Sequence, residues 1–125
     1  MIQTDGSKPI YVQISEWLEN EIISGNFEED GKVYSQYQLA DLFTINPATA
    51  AKGLNLLADE QILYKKRGLG MFVAKGAKQQ ILDRRKNETL KELIEELVSE
   101  ALRLNVREEE LVSMVKEASK RRGKE

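Results

Sequence analysis

The first part of the chain carries apolar residues at the spacing of an amphipathic helix. They are Ile10, Ile14, Trp17, Leu18 and Ile22. Pro9 suits the first turn because its missing N–H needs no acceptor there, and Ser24-Gly25-Asn26 is typical of a helix stop. We therefore predict one helix between these two signals. The segment 25–32 shows no periodicity, and its acidic run Glu28-Glu29-Asp30 is predicted to be a solvated loop.

Two shorter helical patterns follow, separated only by a tight turn. Ser35 is a candidate N-cap for the first, and Asn46 followed by Pro47 is a typical start for the second. The apolar face of the second helix consists of Ala50, Leu54 and Leu57. Thr49 and Lys52 lie away from that face. This arrangement is typical of a helix-turn-helix, although the same periodicity also fits a plain three-helix bundle.

Two strand-like runs come next, on either side of a basic turn. They are Ile62-Leu63-Tyr64-Lys65-Lys66 and Leu69-Gly70-Met71-Phe72-Val73-Ala74. Arg67-Gly68 between them supplies a cationic tip and a glycine that can adopt a positive φ. A two-stranded hairpin is barely stable alone and must pack on the preceding helices. Together, the helix-turn-helix pattern and the hairpin predict a winged helix. In this fold the third helix enters the major groove of DNA, while the hairpin tip reaches phosphates or the adjacent minor groove.

After Gly76 the pattern changes to a long helical segment dense in charged residues. Its apolar stripe consists of Ile81, Leu90, Ile94, Leu97, Ala101 and Leu104. From Leu90 onward the spacing is that of a heptad seam, and Asn105 is typical of a helix stop. A second amphipathic helix, 108–120, carries Leu111, Val112, Met114, Val115 and Ala118. Such a helix pair cannot cover its own apolar faces, so we predict self-association through 77–121, with a lid over the N-terminal domain as the alternative.

The composition narrows the possible chemistry. The 125 residues include neither cysteine nor histidine, which excludes disulfides, thiolate or imidazole metal sites and nucleophile–histidine catalysis. No nucleophile–base pair, phosphate-cradling loop or metal cluster stands out either. We therefore predict a protein that is not an enzyme and needs no cofactor or metal. No apolar run approaches the roughly 20 residues of a membrane span, and no signal peptide is visible, so the chain is expected to be cytoplasmic.

The charges are unevenly distributed along the chain. The 19 basic and 21 acidic residues give a formal net charge of −2, which argues against a polybasic coat for nucleic acid. Residues 1–76 hold 7 basic and 10 acidic side chains. The basic ones beyond residue 50 are Lys52, Lys65, Lys66, Arg67 and Lys75. A surface that faces a polyanion must therefore involve 47–75.

Several short motifs within 9–74 resemble, in order and spacing, the N-terminal winged-helix domain of the GntR family of bacterial transcription regulators. They are Pro9-Ile10-Tyr11-Val12-Gln13-Ile14, Ile22-Ile23-Ser24-Gly25, Leu39-Ala40, Asn46-Pro47-Ala48-Thr49, Leu57-Ala58-Asp59-Glu60 and Arg67-Gly68-Leu69-Gly70-Met71-Phe72-Val73. The Asn-Pro after the turn, and a tail with no room for a large ligand-binding domain, resemble the YtrA-like subfamily in particular. The resemblance implies a winged-helix fold, DNA binding and control of transcription.

Two positions depart from the family's pattern. The family often has Leu-Pro-Ser-Glu-Arg where this chain has Val33-Tyr34-Ser35-Gln36-Tyr37, so Tyr37 replaces an arginine that clamps a phosphate in the family. A tyrosine hydroxyl still hydrogen-bonds a phosphate, without a charge. The subfamily's usual Asn-Pro-Asn-Thr-Val is replaced by Asn46-Pro47-Ala48-Thr49-Ala50, which has one fewer amide side chain for reading a base edge.

The candidate functional residues follow from the residue pattern and this resemblance together. The candidate DNA contacts are Ser35, Gln36, Tyr37, Asn46, Thr49, Lys52, Arg67 and Gly68. The candidate dimerisation seam is Leu90, Ile94, Leu97, Ala101 and Leu104. Ser35 and Asn46 can act as helix caps and DNA contacts at once, because a helix N-terminus readily faces phosphate. Thr49 and Lys52 can also be ordinary solvated residues, and Arg67-Gly68 can be only a turn. The residues predicted to be core, rather than base-stacking platforms, are Tyr11, Trp17, Leu39, Leu42, Leu54, Leu57 and Phe72.

We therefore predict a mainly α-helical chain with a small β-hairpin, in which a winged helix-turn-helix domain (9–76) precedes a helical dimerisation element (77–121). The expected function is that of a bacterial transcription regulator, a repressor by resemblance, which binds a two-fold symmetric operator in double-stranded DNA as a homodimer. The alternative is a winged-helix adapter that binds proteins and has no operator. No small-molecule effector is identified, and no dedicated pocket of drug-like size is expected. Control would then come through protein abundance, a partner, or a ligand lodged between the helical tails.

Overall fold

Within residues 2–4 and 6–123, which the computed structural model describes, the chain forms six helices and one two-stranded antiparallel sheet. The elements are α1 (Ile10–Ile23), α2 (Gln36–Phe43), α3 (Pro47–Asp59), β1 (Leu63–Lys66), β2 (Gly70–Val73), α4 (Ala77–Asn87), α5 (Thr89–Arg103) and α6 (Glu108–Gly123). The predicted fold class is confirmed. Two compact units, 1–84 and 85–125, divide the chain. None of the described helices is long and apolar enough to cross a membrane.

Local signals begin and end the helices of the first unit where the sequence predicts. Ser35 caps α2, because its Oγ accepts the Gln38 N–H at 3.1 Å while its own N–H donates to Gln38 Oε1 at 2.8 Å. Thr44 ends α2 in the left-handed conformation, with φ of 54°. Asn46 then caps α3, since its Oδ1 accepts the Ala48 N–H at 2.8 Å. These caps fix the tight turn between α2 and α3.

One apolar core joins the three helices to the sheet and to the start of α4. Its fully buried members include Ile14, Leu18, Leu39, Leu57, Ile62, Leu63, Val73 and Ile81. The prediction that Leu42 belongs to this core is wrong, because its side chain is 51% exposed. The core side of α2 is centred on Leu39 and Ala40, which leaves Leu42 on the flank. Trp17 is half-buried and packs against the core. Tyr11 and Phe72 are half-buried but are not part of this cluster, so their prediction as core residues is wrong.

The hairpin forms at the predicted place. Its register sets Lys66 opposite Gly70, and the intervening turn is closed by the Leu69 N–H donating to Lys66 O at 2.9 Å. Gly68 and Gly70 adopt φ of 78° and 113°, conformations that favour glycine. The turn chemistry therefore fixes where the wing tip lies along the chain.

A third segment of the chain pairs with β2 and widens the sheet of the wing beyond the two predicted strands. Val33 donates its N–H to Met71 O at 3.0 Å, and Val73 donates its N–H to Gly31 O at 2.9 Å. The prediction of a loop over 25–32 is therefore wrong at its C-terminal end, while the acidic run Glu28-Glu29-Asp30 is exposed, as predicted. No periodic pattern in the sequence indicates this pairing, because the two paired segments lie far apart along the chain.

A side-chain hydrogen bond ties the wing to the same segment. The Tyr64 hydroxyl donates to Asp30 Oδ1 at 2.7 Å. This hydrogen bond, followed by desolvation and the charge of Asp30, raises the pKa of the Tyr64 phenol above its ordinary value of 10.0. Because the folded-state pKa is the higher one, the stabilisation is complete below the unfolded value and is lost as the pH rises through the folded one.

Gly53 allows α1 and α3 to approach closely. A Cβ at this position would lie 2.9 Å from the backbone oxygen of Tyr11 and 3.0 Å from Ile14 Cγ2. A side-chain rotation cannot relieve the contact with a backbone oxygen. The two helices would therefore have to move apart to accept any larger residue.

We expect Gly53→Ala to lower the free energy of unfolding by about 1–3 kcal/mol, the usual cost of overpacking a core. At an exposed helical position the same change would raise stability by up to about 1 kcal/mol, because alanine has the higher helix propensity. Urea denaturation measures the difference. Gly123→Ala is the control, since a Cβ at Gly123 would meet nothing within 4 Å. A stabilised Gly53→Ala variant would show that α1 and α3 do not meet at this position.

The start of α4 belongs to the first unit. Ala77 and Ile81 are buried in the core, although the sequence pattern predicts that Ile81 begins the exposed apolar stripe of the tail. Arg84 pairs with Glu19 at 2.5 Å and with Glu60 at 2.9 Å. The first unit therefore extends to Arg84, and the predicted domain boundary after Gly76 is too early.

The second unit exposes nearly all of its apolar side chains. Glu88 interrupts the helix that the pattern predicts to be continuous, with φ of −114°, and no glycine or proline marks this break in the sequence. Asn105 ends the α5 region in the left-handed conformation, as its residue type predicts. Among the described residues of α5 and α6, Ala101 alone is buried.

Candidate nucleic-acid interface

The N-terminus of α2 presents unused backbone donors. The capping box engages Ser35 and Gln38, while the N–H groups of Gln36 and Tyr37 donate to no acceptor among the described residues. The Tyr37 side chain is 66% exposed. Free N–H groups at a helix start favour an anion, so this end of α2 can hold a phosphate. Ser35 is a helix cap, as predicted, and its contact with DNA stays a prediction.

The exposed stripe of α3 lies on the side of the helix opposite its core face. Ala48, Lys52 and Asn55 are exposed along it, and Thr49 is half-buried beside it. Asn46 commits its Oδ1 to the helix cap. Small side chains on the first turn leave Lys52 and Asn55 as the longer polar groups on this stripe.

The Lys52 ammonium lies over an aromatic ring. Its Nζ lies 4.1 Å from the centroid of the Tyr11 ring, at the first turn of α1. A cation over an aromatic face is stabilised by the ring quadrupole. Lys52 remains exposed, so its charge is positioned rather than buried.

The three basic residues of the wing do not share one face. Side chains alternate along a strand, so Lys65 and Lys66 project to opposite sides of the hairpin. Lys66 lies on the outer side, with Nζ 4.4 Å from the Phe72 ring centroid. Arg67 and Gly68 are exposed at the tip. Lys65 and Arg67 are therefore the wing cations that remain available to a ligand of the helix-turn-helix.

A cleft of about 350 Å³ lies between α2, α3 and the wing. Its polar lining consists of Lys32, Tyr34, Ser35, Gln36, Tyr37, Asn55 and Lys65. Three of the predicted DNA contacts line this cleft, and the remaining five lie outside it. Gly70 helps to shape the cleft, because a Cβ there would lie 3.1 Å from Lys32 Cε. Among the described residues, no group of three or more acidic, histidine or cysteine side chains could hold a metal ion.

Sequence reasoning did not select the two lysines and the asparagine of the cleft. Lys32 comes from a segment without periodicity, and only the pairing of that segment with β2 brings it to the cleft. Asn55 follows Lys52 by one helical turn, so the helical repeat could have identified it. Lys65 could have been separated from Lys66 by strand alternation.

The chain is similar in sequence to known transcriptional repressors. The chain is 31% identical over 121 residues to the HTH-type transcriptional repressor YtrA of Bacillus subtilis, a match that covers 95% of this chain and 92% of the relative. It is 36% identical over 74 residues to the repressor NagR of the same organism, but that match spans only 30% of NagR. No protein-family model matches the chain.

Solved structures agree with these relatives. A GntR family transcriptional regulator from Listeria monocytogenes superposes with a TM-score of 0.73 and 32% identity, covering 90% of this chain and 97% of the other. The DNA-binding domain of AraR, solved in complex with an operator, superposes with a TM-score of 0.55 and 28% identity over 59% of this chain.

Proposed function

This chain belongs to the GntR family of transcription regulators, as a YtrA-like member, and we propose that it is a repressor that binds a two-fold symmetric DNA operator as a homodimer. The observation that carries the proposal is the grouping, in one compact unit, of the α2 N-terminus, the polar stripe of α3 and the basic wing. The AraR domain that was solved on an operator supports it, because that domain superposes on 59% of this chain with a TM-score of 0.55.

Each element has a separate task in the proposed complex. The third helix, α3, lies in the major groove, where Thr49, Lys52 and Asn55 reach base edges. The start of α2, from Ser35 to Tyr37, donates to a phosphate beside the groove. In this role Tyr37 supplies a hydroxyl where the family's pattern often has an arginine, and Lys32 and Lys65 supply positive charge on the adjacent cleft wall. No catalytic residue is assigned.

The wing binds the DNA backbone or the narrow groove next to it. Arg67 is the cation at the tip, and Gly68 leaves room for close approach of the DNA. These contacts carry little sequence information, because the phosphate groups are chemically the same at every base pair. Operator choice is therefore assigned to α3, and general affinity to the wing and α2.

The second unit forms the dimer. Leu90, Ile94 and Leu97 are 50%, 50% and 43% exposed in a single chain, and Leu104 is 64% exposed. Ala101 is already covered within its own chain. An apolar face of this extent in a water-soluble chain is typical of a protein contact. Two winged helices related by a two-fold axis match an operator with two inverted half-sites.

We expect Arg67→Ala to weaken binding to operator and to unrelated duplex DNA in parallel. The salt dependence should also fall, by about one unit of slope for each phosphate that the variant no longer neutralises. Lys66→Ala is the matched control, because it removes one neighbouring charge that lies over Phe72 on the outer side of the wing. Fluorescence anisotropy at two salt concentrations measures both quantities. If Arg67→Ala leaves the affinity for DNA and its salt dependence unchanged, the wing is only a structural hairpin.

A further inference from the structure

Tyr11 places a large aromatic ring at the first turn of α1, outside the apolar core. Its side chain is half-buried and does not belong to the core cluster. Its hydroxyl makes no hydrogen bond to any of the described residues. The ring does have a charged neighbour, because the Lys52 Nζ lies 4.1 Å from its centroid. The contact that distinguishes this ring is therefore one with a cation of α3.

A glycine brings the ring and the lysine together. Gly53 directly follows Lys52, and a Cβ on it would lie only 2.9 Å from the Tyr11 backbone oxygen. Because glycine has no Cβ, the first turn of α1 can lie directly against α3 at this point. The contact between the ring and the ammonium therefore follows from the packing of two helices.

The Lys52 ammonium keeps its charge available to a ligand. Among the described residues, no carboxylate forms an ion pair with it, and the side chain is exposed. An aromatic face attracts an ammonium without neutralising it. Lys52 therefore has a preferred direction and still has N–H groups to donate.

We propose that Tyr11 is a positioning residue for DNA recognition, whose ring directs the Lys52 ammonium to the O6 and N7 acceptors of a guanine in the operator. The inference rests on the proposed function, because it specifies one contact between α3 and the major groove. A lysine offers only donors, and guanine is the base whose major-groove edge offers two acceptors and no donor. Tyr11 acts through Lys52 and does not itself contact the DNA.

Positioning matters because a free lysine is a poor reader of sequence. Its long, flexible side chain loses conformational freedom when the ammonium donates to one base edge. An unrestricted ammonium also reaches phosphates, which carry no sequence information. A ring that already restricts the ammonium reduces the entropic loss and favours the base edge over the backbone.

Nuclear magnetic resonance of the full chain tests the contact without DNA. Protons above the face of an aromatic ring are shielded, so we expect the ε-methylene protons of Lys52 to resonate upfield of those of the other lysines. The upfield shift should persist in Tyr11→Phe, which keeps the ring, and disappear in Tyr11→Leu. An ordinary Lys52 resonance in the wild type would overturn the proposal.

Binding to operators with single base-pair changes tests the role of the contact. Lys52→Ala first identifies the base pair that Lys52 reads, because the variant no longer discriminates there. At this base pair, Tyr11→Leu should reduce the ratio of the affinities for the correct and the changed operator about three- to tenfold. The salt dependence should stay the same, since the Lys52 charge remains. Tyr11→Phe should discriminate like the wild type.

A double variant separates action through Lys52 from a general disturbance. Adding Tyr11→Leu to Lys52→Ala should reduce discrimination no further, because the residue that Tyr11 positions is already absent. Wild-type affinity for unrelated duplex DNA shows that Tyr11→Leu is folded. Tyr11→Met also removes the ring, so the test does not depend on one replacement.

Phe72→Leu is the matched control. It removes another ring that lies close to an ammonium, since the Lys66 Nζ lies 4.4 Å from the Phe72 ring centroid. This pair lies on the outer side of the wing, away from α3. Phe72→Leu should therefore leave discrimination unchanged at every base pair.

The outcomes distinguish this inference from the proposed function. A wild-type chain that selects no operator would overturn the proposed function, whatever the resonance of Lys52 shows. If Lys52→Ala loses discrimination at a guanine but the variants without a ring do not, only the role of Tyr11 is overturned. Equal losses for Tyr11→Phe and Tyr11→Leu would also overturn it, because the hydroxyl would then be the group that acts. No loss for Lys52→Ala, or a loss at a base pair other than guanine–cytosine, would contradict the assigned acceptor.

Discussion

We expect the Arg84→Ala variant to unfold with a free energy about 3–5 kcal/mol below that of the wild type. The guanidinium lies 2.5 Å from a Glu19 oxygen, and the Glu19 side chain is only 4% exposed. Without Arg84 this largely buried carboxylate loses its guanidinium partner. Urea denaturation at one fixed protein concentration measures the loss, because the apparent stability of an oligomer depends on concentration.

Lys8→Ala is the control for this prediction. Lys8 and Glu16 form an ion pair at 2.8 Å, but their side chains are 54% and 41% exposed. An exposed pair contributes at most about 1 kcal/mol. Adding Glu19→Gln to the Arg84→Ala variant should restore part of the stability, because the buried charge is removed. Equal, small losses for Arg84→Ala and Lys8→Ala would show that burial does not strengthen the Arg84 pair.

The second large effect is expected for Leu97→Glu. Leu97 lines two apolar grooves of the second unit, so a second copy that fills them would bury the new carboxylate without a partner. An unpaired charge in such an interface costs about 3 kcal/mol or more, which is roughly a hundredfold rise in the dissociation constant. The affinity for a two-fold operator should fall as well, because the two half-sites are then bound independently.

Ser99→Glu is the matched control for Leu97→Glu. It adds the same charge to α5 on the side away from the grooves, where Ser99 is exposed. Sedimentation velocity at micromolar concentration distinguishes monomer from dimer for both variants. A Leu97→Glu chain that still sediments as a dimer would mean that the seam on α5 is not the interface.

The features predicted correctly from sequence are those with local causes. Helix periodicity, the caps Ser35 and Asn46 and the glycine at the wing tip each act within a few residues. Their effects can therefore be identified without knowledge of the tertiary structure. The break at Glu88 has no such local signal, and the continuous helix predicted there is wrong.

The remaining differences come from contacts between distant segments. The third segment of the wing's sheet depends on pairing between Gly31 and Val73. The position of α4 depends on Ile81 and Arg84. No window of sequence contains both partners of these contacts. Leu42 shows a related limit, because helical spacing identifies an apolar face without identifying which residue at its border is covered.

The candidate interface divides in the same way. Ser35 to Tyr37 can be selected from sequence because a helix start has a recognisable pattern. Lys32 could not be selected, since only the folded wing brings it to the cleft. The contacts of the predicted residues with DNA stay predictions.

The most direct test is selection of bound sequences from a pool of random DNA duplexes, followed by titration of the enriched sequence. We predict an inverted repeat that is bound by two chains per duplex, with at least about a thousandfold preference over unrelated DNA. Recovery of no common sequence, with equal and weak binding to every duplex, would contradict a specific operator and favour a winged helix that binds proteins.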